Sequence, residues 1–513
     1  MNQTPDLNTI LRLSAEETIT IFPAKVELGQ GIYTALAQIA ADELCVDLKR
    51  FKISPADTDH LPTGSSTTGS NSIQSEGNRQ AAVEARYHLL DIASTHLGIP
   101  RERLAITDGT IKDREGNQSV TYWNLNPAFD YPITDLGSPK SPEQYTTIGQ
   151  SAINQNLVAG VTGQPRFLHD LELPNMVHGR VVRPPGPKAV LLSLDLDEVK
   201  KMPGVIHIHQ SGNFIGVTAE REEQAINAAE RLASIAEWKK GNPFPQNIYD
   251  HLLSQTDTPR LVVDGTPTDD PIPPIEPPPQ STKTLEATYY KPFHMHGSLG
   301  PSAALAHYEG QNLRVISHSQ GVHSLRGALA QVLDMPETHI RVQHMEGAGC
   351  YGYNGADDVA LDAALLARSL PNRPVLLKWM REDEHAWEPY GSCMVIKMQA
   401  SLDTDHQVID WNHDAFGHTH SGRPRGQNDS STLFGRTAHR SATPLSNSAP
   451  RRWQSRWHPP QCRPTLRNPT KTRGQTLCPK QPPSHISSAR IRRNRQCFCH
   501  RILYGRARLC RES

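Results

Sequence analysis

The sequence predicts a multidomain α+β protein, because three separate segments alternate between patterns typical of strands and of helices. These segments cover residues 14–125, 161–240 and 284–425. A stretch rich in proline and acidic residues, 264–279, precedes the third segment and is typical of an extended linker. At 513 residues, the chain is long enough for roughly two to four domains.

The first segment is predicted to form one α/β unit. Its predicted elements are, in chain order, a strand at 18–22, a turn at 25–34, a helix at 35–44, a strand at 51–53, a polar loop at 64–71, a helix near 77–97 and a hairpin at 104–112. The polar turns at 29–31 and 64–71 offer amides and hydroxyls to a ligand. Ordinary helix capping accounts for either turn taken alone.

The second segment contains a predicted strand at 214–219 and a predicted helix near 223–238. The third segment contains a strand, a glycine-rich turn and a helix between His339 and Leu370. Glycines at 347, 349, 352 and 355 leave amides unobstructed beside a helix N-terminus, a pattern that favours an anion or cofactor site. A tight loop that only needs positive φ is the alternative.

A dinucleotide enzyme is a further alternative for the same turn. Gly347-x-Gly349-x-x-Gly352 matches the dinucleotide fingerprint, and acidic residues follow the next predicted strand. A fourth glycine and Asn354 stand where the fingerprint helix would already be running. The NAD or FAD interpretation is therefore the weaker one.

Charge and cysteine are unevenly distributed. Residues 430–513 hold eighteen Arg and Lys and one acid, which leaves 35 bases against 52 acids in residues 1–429. Five of the eight cysteines also lie in that basic segment. The remaining three predict no disulfide framework, and no apolar run is long enough to span a membrane. We expect a cytoplasmic protein; if an export signal is missing, the expectation is periplasmic.

Four passages carry a strong resemblance to a known family. They are Lys25-Val-Glu-Leu-Gly-Gln-Gly31 with the helix after it, residues 163–185, Ser319-Gln-Gly-Val-His-Ser-Leu-Arg326, and Glu346 to Asp358 with Trp379 to Tyr390. In this order they resemble the molybdopterin-binding large subunit of the xanthine oxidase/aldehyde oxidase family. The branch that includes isoquinoline 1-oxidoreductase and nicotinate dehydrogenase is the most similar.

The resemblance implies molybdopterin-binding modules with a small α/β hammerhead domain between them. The implied boundaries are a Gly-Gln-Gly module at 1–125, a linker at 126–160, the hammerhead domain at 161–263, a Pro-rich linker at 264–283, a molybdopterin-binding domain at 284–425 and a disordered tail at 426–513. The cofactor implied is molybdopterin carrying molybdenum, in a dinucleotide form. No side-chain ligand to the metal is implied.

The resemblance also assigns the cofactor-binding residues. They are Gly29, Gln30, Gly31, Gln320, Gly321, Gly349, Cys350, Tyr351, Gly352 and Arg381. Gln320 matches a glutamine near the molybdenum oxo group, and Arg381 an arginine near the pocket. Without the resemblance, Gln320 is a capped turn residue, Tyr351 is core packing, and Arg381 is a partner for Glu382 or Glu384.

The implied reaction is hydroxylation of an N-heterocycle or an aldehyde, with water as the oxygen source. A base glutamate takes a proton, and electrons leave through a small [2Fe–2S] subunit, with a cytochrome c subunit as a further candidate partner. In the family that glutamate lies in a Gly-x-Gly-Glu passage of a C-terminal module. This sequence has no such passage, so no catalytic residue is assigned.

The basic segment after residue 425 has three interpretations. It is a disordered nucleic-acid-binding tail, a zinc site at the closely spaced cysteines and His500, or DNA translated in the wrong frame. A one-nucleotide shift over Asn494–Arg508 permits Ile-Gly-Asn-Val-Phe-Ala-Ile-Glu-Ser-Phe-Met-Asp-Glu-Leu, which is similar to a family passage. The same shift over Pro450–Arg456 permits Gly-Gly-Gly-Asn-Arg, also similar. We therefore expect a frameshift between 420 and 450, which sequencing the gene would test.

The sequence thus predicts an incomplete and inactive molybdenum hydroxylase large subunit that binds no nucleic acid and spans no membrane. A non-catalytic remnant or a basic-tailed nucleic-acid-binding protein is the first alternative, and the dinucleotide enzyme is the second.

Overall fold

The computed structural model describes most of residues 6–424. With side chains, the described residues are 6–61, 64, 66–68, 78–125, 127, 129, 130, 132–134, 136–186, 188–241, 243, 245–254, 260–262, 268–272, 274–352, 354–417, 423 and 424. The backbone alone is described for 263, 266, 267 and 451–457.

The described residues fall into two compact units. The first unit draws on residues within Met1–Asn242, Met295–Pro389 and Arg423–Leu445, and the second on residues within Pro243–His294, Tyr390–Gly422 and Ser446–Ser513. Each unit is therefore built from segments that are distant in the sequence.

Nine α-helices lie in the described part of the chain. They are α1 (Ile32–Leu44), α2 (Asn78–Leu97), α3 (Tyr122–Leu125), α4 (Leu157–Val161), α5 (Glu222–Ile235), α6 (Ile248–Ser254), α7 (Val322–Leu333), α8 (Ala356–Ser369) and α9 (Arg381–Trp387).

The strands of the first half of the chain are mostly short. In chain order they are β1 (Leu11–Leu13), β2 (Ile19–Ile21), β3 (Phe51–Ile53), β4 (Leu104–Thr107), β5 (Thr110–Asp113), β6 (Ser119–Thr121), β7 (Val177–Val182), β8 (Val190–Ser193), β9 (Val205–Ser211), β10 (Phe214–Ala219) and β11 (Glu237–Lys239). Those that follow are β12 (Arg260–Val263), β13 (Thr266–Thr268), β14 (Lys283–Lys291), β15 (Ala303–Glu309), β16 (Asn312–Ser317), β17 (Ile340–His344), β18 (Val375–Lys378), β19 (Met394–Leu402), β20 (Val408–Gly417) and β21 (Arg451–Trp457).

A seven-stranded mixed sheet forms the centre of the first unit. Its strand order is β17-β16-β15-β18-β7-β10-β9. The pairs β16–β17 and β18–β7 are parallel, and the other pairs are antiparallel. The sheet therefore takes strands from both of the segments that the sequence assigns to separate domains, 161–263 and 284–425. The exact domain boundaries stay a prediction.

Helices α7 and α8 bury their apolar residues against this sheet in one core. The α8 sequence is rich in alanine and leucine, with Asp357 and Asp358 in its first turn and Arg368 in its last, as the helix dipole favours. Leu366 lies over Gly216 of β10, where a Cβ atom would come within 2.6 Å of the leucine side chain. A glycine on the strand thus makes room for the buried leucine, whose burial stabilises the fold by about 1.5–3 kcal/mol.

The N-terminal segment packs a small sheet, β1-β2-β3, against α1 and α2. The turn after β3 connects this module to the central sheet, because Asp57 accepts hydrogen bonds from the Arg341 guanidinium at 2.6–3.2 Å. The Thr58 N–H also donates to the Val342 carbonyl at 3.1 Å. These contacts place the residues that follow β3 beside β17.

The second unit contains a six-stranded sheet in the order β13-β12-β21-β20-β19-β14. The long strands β14, β19 and β20 pair antiparallel. Leu252 of α6 packs with the buried Cys393, Val395 and Phe416 of this sheet.

The predicted α+β class is confirmed, and so are the predicted strands and helices of the first segment, with boundaries within about three residues at the helix starts. Of the predicted polar loop at 64–71, residues 65 and 69–71 lie outside the described residues. Of the predicted tail, the structure describes only the backbone of Arg451–Trp457. This stretch forms β21, which lies between β12 and β20 in the sheet, so the predicted disorder does not extend to these seven residues. Backbone groups on an open strand edge can pair with such a segment whatever its side-chain pattern. The rest of the tail lies outside the described residues. Among the residues described, no helix has the length and apolarity needed to cross a bilayer.

Candidate functional site

A glycine-rich loop follows β17 and leads into α8, as the sequence predicts. The loop bends through left-handed backbone at Gly349 (φ 109°), Tyr351 (φ 52°) and Gly352 (φ 132°). These bends bury Cys350 and leave Tyr351 60% exposed. Burial raises the pKa of the Cys350 thiol, while the N–H groups of Gly352 and Asn354 donate to its sulfur and oppose that shift. Cys350 therefore stabilises the bend as a neutral thiol, and the Tyr351 ring faces outward.

His344, the last residue of β17, joins two other segments to this loop. Its Nε2 lies 3.0 Å from the Glu27 carbonyl oxygen and its Nδ1 lies 3.2 Å from the Ser319 carbonyl oxygen. Burial lowers the pKa of His344 to about 4, so the imidazole is neutral at pH 7 and donates from one nitrogen only. Three sequence-distant passages thus meet at one buried ring.

The Gly-Gln-Gly turn uses its amides within the protein. The buried Glu27 carboxylate accepts hydrogen bonds from the N–H groups of Gly29 and Gly31, both at 2.9 Å, and from Tyr33 at 3.2 Å. The carboxylate therefore caps the start of α1, which is the capping alternative that the sequence left open. The amides of Gly29 and Gly31 are occupied by Glu27.

The Gln30 side chain turns back onto its own segment. Its Oε1 accepts the Leu28 N–H at 2.6 Å, and its Nε2 donates to the Val26 carbonyl at 3.0 Å. Gln30 is solvent-exposed. In this conformation, the turn shapes the surface next to the site, and the amide of Gln30 is already paired.

Gln320 is buried at the start of α7. Its side-chain Nε2 donates to the Thr67 carbonyl at 2.8 Å, and the backbone carbonyl of Gln320 accepts the Thr67 N–H at 2.7 Å. The Thr67 hydroxyl in turn accepts the Val26 N–H at 2.9 Å. Gln320 Oε1 is buried and has no hydrogen-bond partner among the described residues. At Gly321, a Cβ atom would lie 2.4 Å from the Ser66 hydroxyl, so the glycine makes room for the Ser66 side chain at the start of α7.

Glu346 and Arg166 form a half-buried ion pair beside the loop. An Arg166 nitrogen lies 2.5 Å from Glu346 Oε2, and the Asn156 amide donates to Oε1 at 2.6 Å. The Glu346 carbonyl accepts the Leu168 N–H at 2.8 Å. Burial raises the pKa of Glu346, while Arg166 opposes that shift. The 156–168 segment is thereby fixed against the base of the glycine-rich loop.

Arg381 contacts a segment that packs on the glycine-rich loop. Its guanidinium donates to the Leu299 carbonyl at 2.7 Å, and the neighbouring Gly300 N–H donates to the Ala348 carbonyl at 3.2 Å. Arg381 therefore holds the segment that packs on the glycine-rich loop, and this contact replaces the ion pair with Glu382 or Glu384 that the sequence offered as an alternative.

Sequence reasoning missed the residues that connect these pieces, chiefly Glu27, Thr67 and His344. The one signal for His344 is its place as a polar residue ending an apolar strand. Glu27 lies inside the quoted Lys25–Gly31 motif, yet nothing in its spacing indicates that its carboxylate binds the following amides.

Two parts of the chain match one family of domains. Residues 2–144 and residues 279–422 each match the molybdopterin cofactor-binding domain. All of the predicted cofactor-binding residues, from Gly29 to Arg381, lie within these two matches.

Curated relatives extend the match beyond these two domains. A subunit of nicotinate dehydrogenase from Pseudomonas putida is 36% identical over 418 residues, which cover 79% of this chain and 34% of the relative. The beta subunit of isoquinoline 1-oxidoreductase from Brevundimonas diminuta is 22% identical over 473 residues, covering 79% of this chain and 58% of the relative. The chain therefore spans between about a third and three fifths of the length of these relatives.

Among solved structures, quinoline 2-oxidoreductase from Pseudomonas putida 86 superposes with a TM-score of 0.41 at 17% identity, over 52% of this chain and 38% of that one. The aldehyde oxidoreductase from Desulfovibrio desulfuricans superposes with a TM-score of 0.42 at 17% identity, over 51% of this chain and 34% of that one.

Proposed function

This chain belongs to the molybdopterin-binding subunits of the xanthine oxidase family, and we propose that it holds the pterin between Gln320 and the Gly349–Gly352 loop. In this proposal, the Gly29–Gly31 turn and Arg381 lie behind Gln320 and the Gly349–Gly352 loop and support them. The pterin is proposed to be a dinucleotide form.

The observation that carries the proposal is the amide oxygen of Gln320, which is buried without a hydrogen-bond partner among the described residues. A buried carbonyl oxygen without a donor costs about 1–3 kcal/mol, so a native protein rarely leaves one unsatisfied. A pterin ring system carries N–H groups that would donate to this oxygen. Gln320 Nε2 is held by Thr67, so the side chain cannot rotate away without losing that bond.

The remaining residues fit a large, polar, planar group. Gly321 and Gly349 leave room for the Ser66 side chain and the Tyr351 ring, with which a Cβ at either position would collide. The exposed Tyr351 ring offers a flat surface for stacking. His318 and His344 are buried, and burial lowers their pKa values to about 3 and about 4. Both rings beneath the proposed site are therefore neutral at pH 7.

The bound group would supply two-electron redox chemistry at its molybdenum. The chain's own residues would bind and orient it and exclude water behind Gln320. We propose that the complete assembly hydroxylates an N-heterocycle or an aldehyde and passes electrons to a small iron–sulfur subunit. Two relatives are named as subunits, one of nicotinate dehydrogenase and the other of isoquinoline 1-oxidoreductase, which supports a multi-subunit enzyme of this class. We also propose that this chain alone binds cofactor without turnover.

Cofactor analysis tests the proposal directly. The full chain is produced in a host that makes the molybdenum cofactor, purified, and analysed for molybdenum by mass spectrometry and for pterin by fluorescence after oxidation. We expect both in equal amounts, with a nucleotide released by acid hydrolysis. A folded chain that contains neither, when a known molybdenum enzyme made in the same host is loaded, would overturn the proposal.

A further inference from the structure

Two buried carboxyl groups lie one helical turn apart at the end of α9. Glu384 is 0% exposed and Glu388 is 4% exposed. Each uses Oε1 to accept a backbone N–H from the same neighbouring segment, Ser302 N–H to Glu384 at 2.5 Å and His296 N–H to Glu388 at 2.5 Å. The two acids therefore hold both ends of the 296–302 segment.

The second oxygen of each carboxyl, Oε2, is buried and has no hydrogen-bond partner among the described residues. Side chains four residues apart on a helix are neighbours, so two buried carboxylates at these positions would repel each other. One proton shared between the two groups removes that repulsion and lets one carboxyl donate to the other.

The surroundings place that proton on Glu384. Burial is the largest influence on its carboxyl and raises its pKa to about 7. Burial also acts on Glu388, but hydrogen bonds from His296 and Glu384 outweigh it and lower the pKa of Glu388. His296 is the titratable group that faces the pair from the 296–302 segment, with Nδ1 3.7 Å from Glu388 Oε1.

Two charged neighbours on α9 itself, Arg381 and Asp383, hydrogen-bond to other groups. Arg381 donates to the Leu299 carbonyl, and Asp383 accepts the Met380 N–H at 2.9 Å. Glu382 is exposed.

The segment that the acids hold packs against the glycine-rich loop. The His296 ring lies 2.8 Å from the position of a Cβ atom built on Gly352, and the Gly300 N–H donates to Ala348 at 3.2 Å. The Trp379 N–H donates to the Ser302 carbonyl at 2.9 Å on the opposite side. The segment is thus a spacer between the acid pair and the loop.

We propose that Glu384 and Glu388 are a proton-sharing pair that positions the Gly349–Gly352 loop through the 296–302 segment. The pair is a positioning device and does not contact the reacting atoms. Its importance for cofactor binding rests on the proposed function, whereas the proton sharing and the effect on the loop do not.

The direction in which pH changes the loop follows from the loss of the proton that the pair shares. Below pH 7 one proton joins the carboxyls; as pH rises through about 7 the proton leaves, two buried carboxylates repel each other, and the 296–302 segment loosens. The loop should therefore open more often at pH 8 than at pH 6.

Glu384→Gln is the informative variant, because glutamine can accept the Ser302 N–H and donate to Glu388 but cannot ionise. Glu382→Gln is the matched control on the same helix. Infrared difference spectra at pH 6 should show a protonated carboxyl band in the wild type and the control that is missing in Glu384→Gln.

Hydrogen exchange of the 345–356 peptide gives the positional readout, after correction for intrinsic pH dependence. Between pH 7 and pH 8 we expect protection in the wild type and in Glu382→Gln to fall by up to about tenfold, since the pair's proton is lost over that range. Protection in Glu384→Gln should stay constant. A missing carboxyl band in the wild type, or an equal loss of protection in Glu384→Gln, would overturn the inference.

Both measurements use the chain without added cofactor. If the chain shows the expected band and exchange but binds no pterin, the proposed function fails and the positioning inference stands.

Discussion

The imidazole Nε2 of His344 lies 3.0 Å from the carbonyl oxygen of Glu27, although 317 residues separate the two in the chain. The Glu27 carboxylate binds the Gly-Gln-Gly turn, and His344 ends the strand that leads into the glycine-rich loop. This pair of residues is a direct contact between the two parts of the chain that match the molybdopterin cofactor-binding domain.

Replacing His344 with leucine should destabilise the first unit. The substitution keeps most of the side-chain volume but removes the donor, which leaves a buried carbonyl unpaired at a cost of about 1–3 kcal/mol. The free energy of unfolding from urea titration at pH 7 measures the effect. His96→Leu, at an exposed position in the last turn of α2, is the control and should change stability by less than about 0.5 kcal/mol. Equal values for the two variants would contradict the role assigned to His344.

Gln320 and Gln30 should differ in their effect on cofactor content. Gln320→Ala removes the buried oxygen that we propose accepts from the pterin, and the loss of one such hydrogen bond corresponds to about tenfold weaker retention. Gln30→Ala removes an exposed side chain whose amide hydrogen-bonds its own turn, so pterin content should stay within about twofold of wild type. Pterin per folded chain, measured after gel filtration, gives both values. A stronger loss in Gln30→Ala would reverse the assignment.

Gly355→Ala should destabilise the junction between the loop and α8. Gly355 has an ordinary φ of −77°, but a Cβ atom there would lie 2.3 Å from the Trp379 ring. Overpacking of this kind costs about 1–3 kcal/mol. Gly186→Ala is the matched control, because a Cβ at Gly186 meets no atom within 4 Å. Thermal unfolding followed by tryptophan fluorescence should show a lower Tm for Gly355→Ala alone; similar Tm values would rule out the predicted clash.

Stability should fall as pH is lowered from 6.5 towards 4. Burial lowers the pKa of His318 to about 3 and of His323 and His344 to about 4, so the unfolded chain binds more protons in this window. Each histidine then contributes up to about 1.4 kcal/mol per pH unit. Glu384 acts in the opposite direction between pH 4.5 and about 7, because its folded pKa is raised.

His323→Gln isolates one of these histidines. It should lower the slope of the unfolding free energy against pH by up to about 1.4 kcal/mol per pH unit. His96→Gln, which changes an exposed histidine, should leave the slope unaltered. A slope in His323→Gln equal to that of the wild type would show that His323 is protonated without cost in the folded chain.

The local structure of the site could be predicted from the sequence because it depends on neighbouring residues. Alternating apolar residues indicated β17, the glycines indicated the bend, and Asp357 and Asp358 indicated the start of α8. The family resemblance then supplied the cofactor, and the two matched domains confirm that part.

Pairing across the fold could not be predicted in the same way. Gln30 and Gln320 carry equal weight in the sequence, yet Gln30 is exposed and paired with its own turn. Gln320 is buried, and its Oε1 has no partner in the part of the chain that the structure describes. That difference arises from Thr67, which lies 253 residues before Gln320. Sequence spacing carries no information on such a contact.

The sequence by itself therefore determined the elements, the family and the general cofactor class, because periodicity, glycine placement and motif order are properties of contiguous residues. Only the tertiary structure decided which polar groups are already satisfied and which remain open. A hydrogen bond depends on distance and burial, and these are fixed when segments far apart in the chain pack into one core.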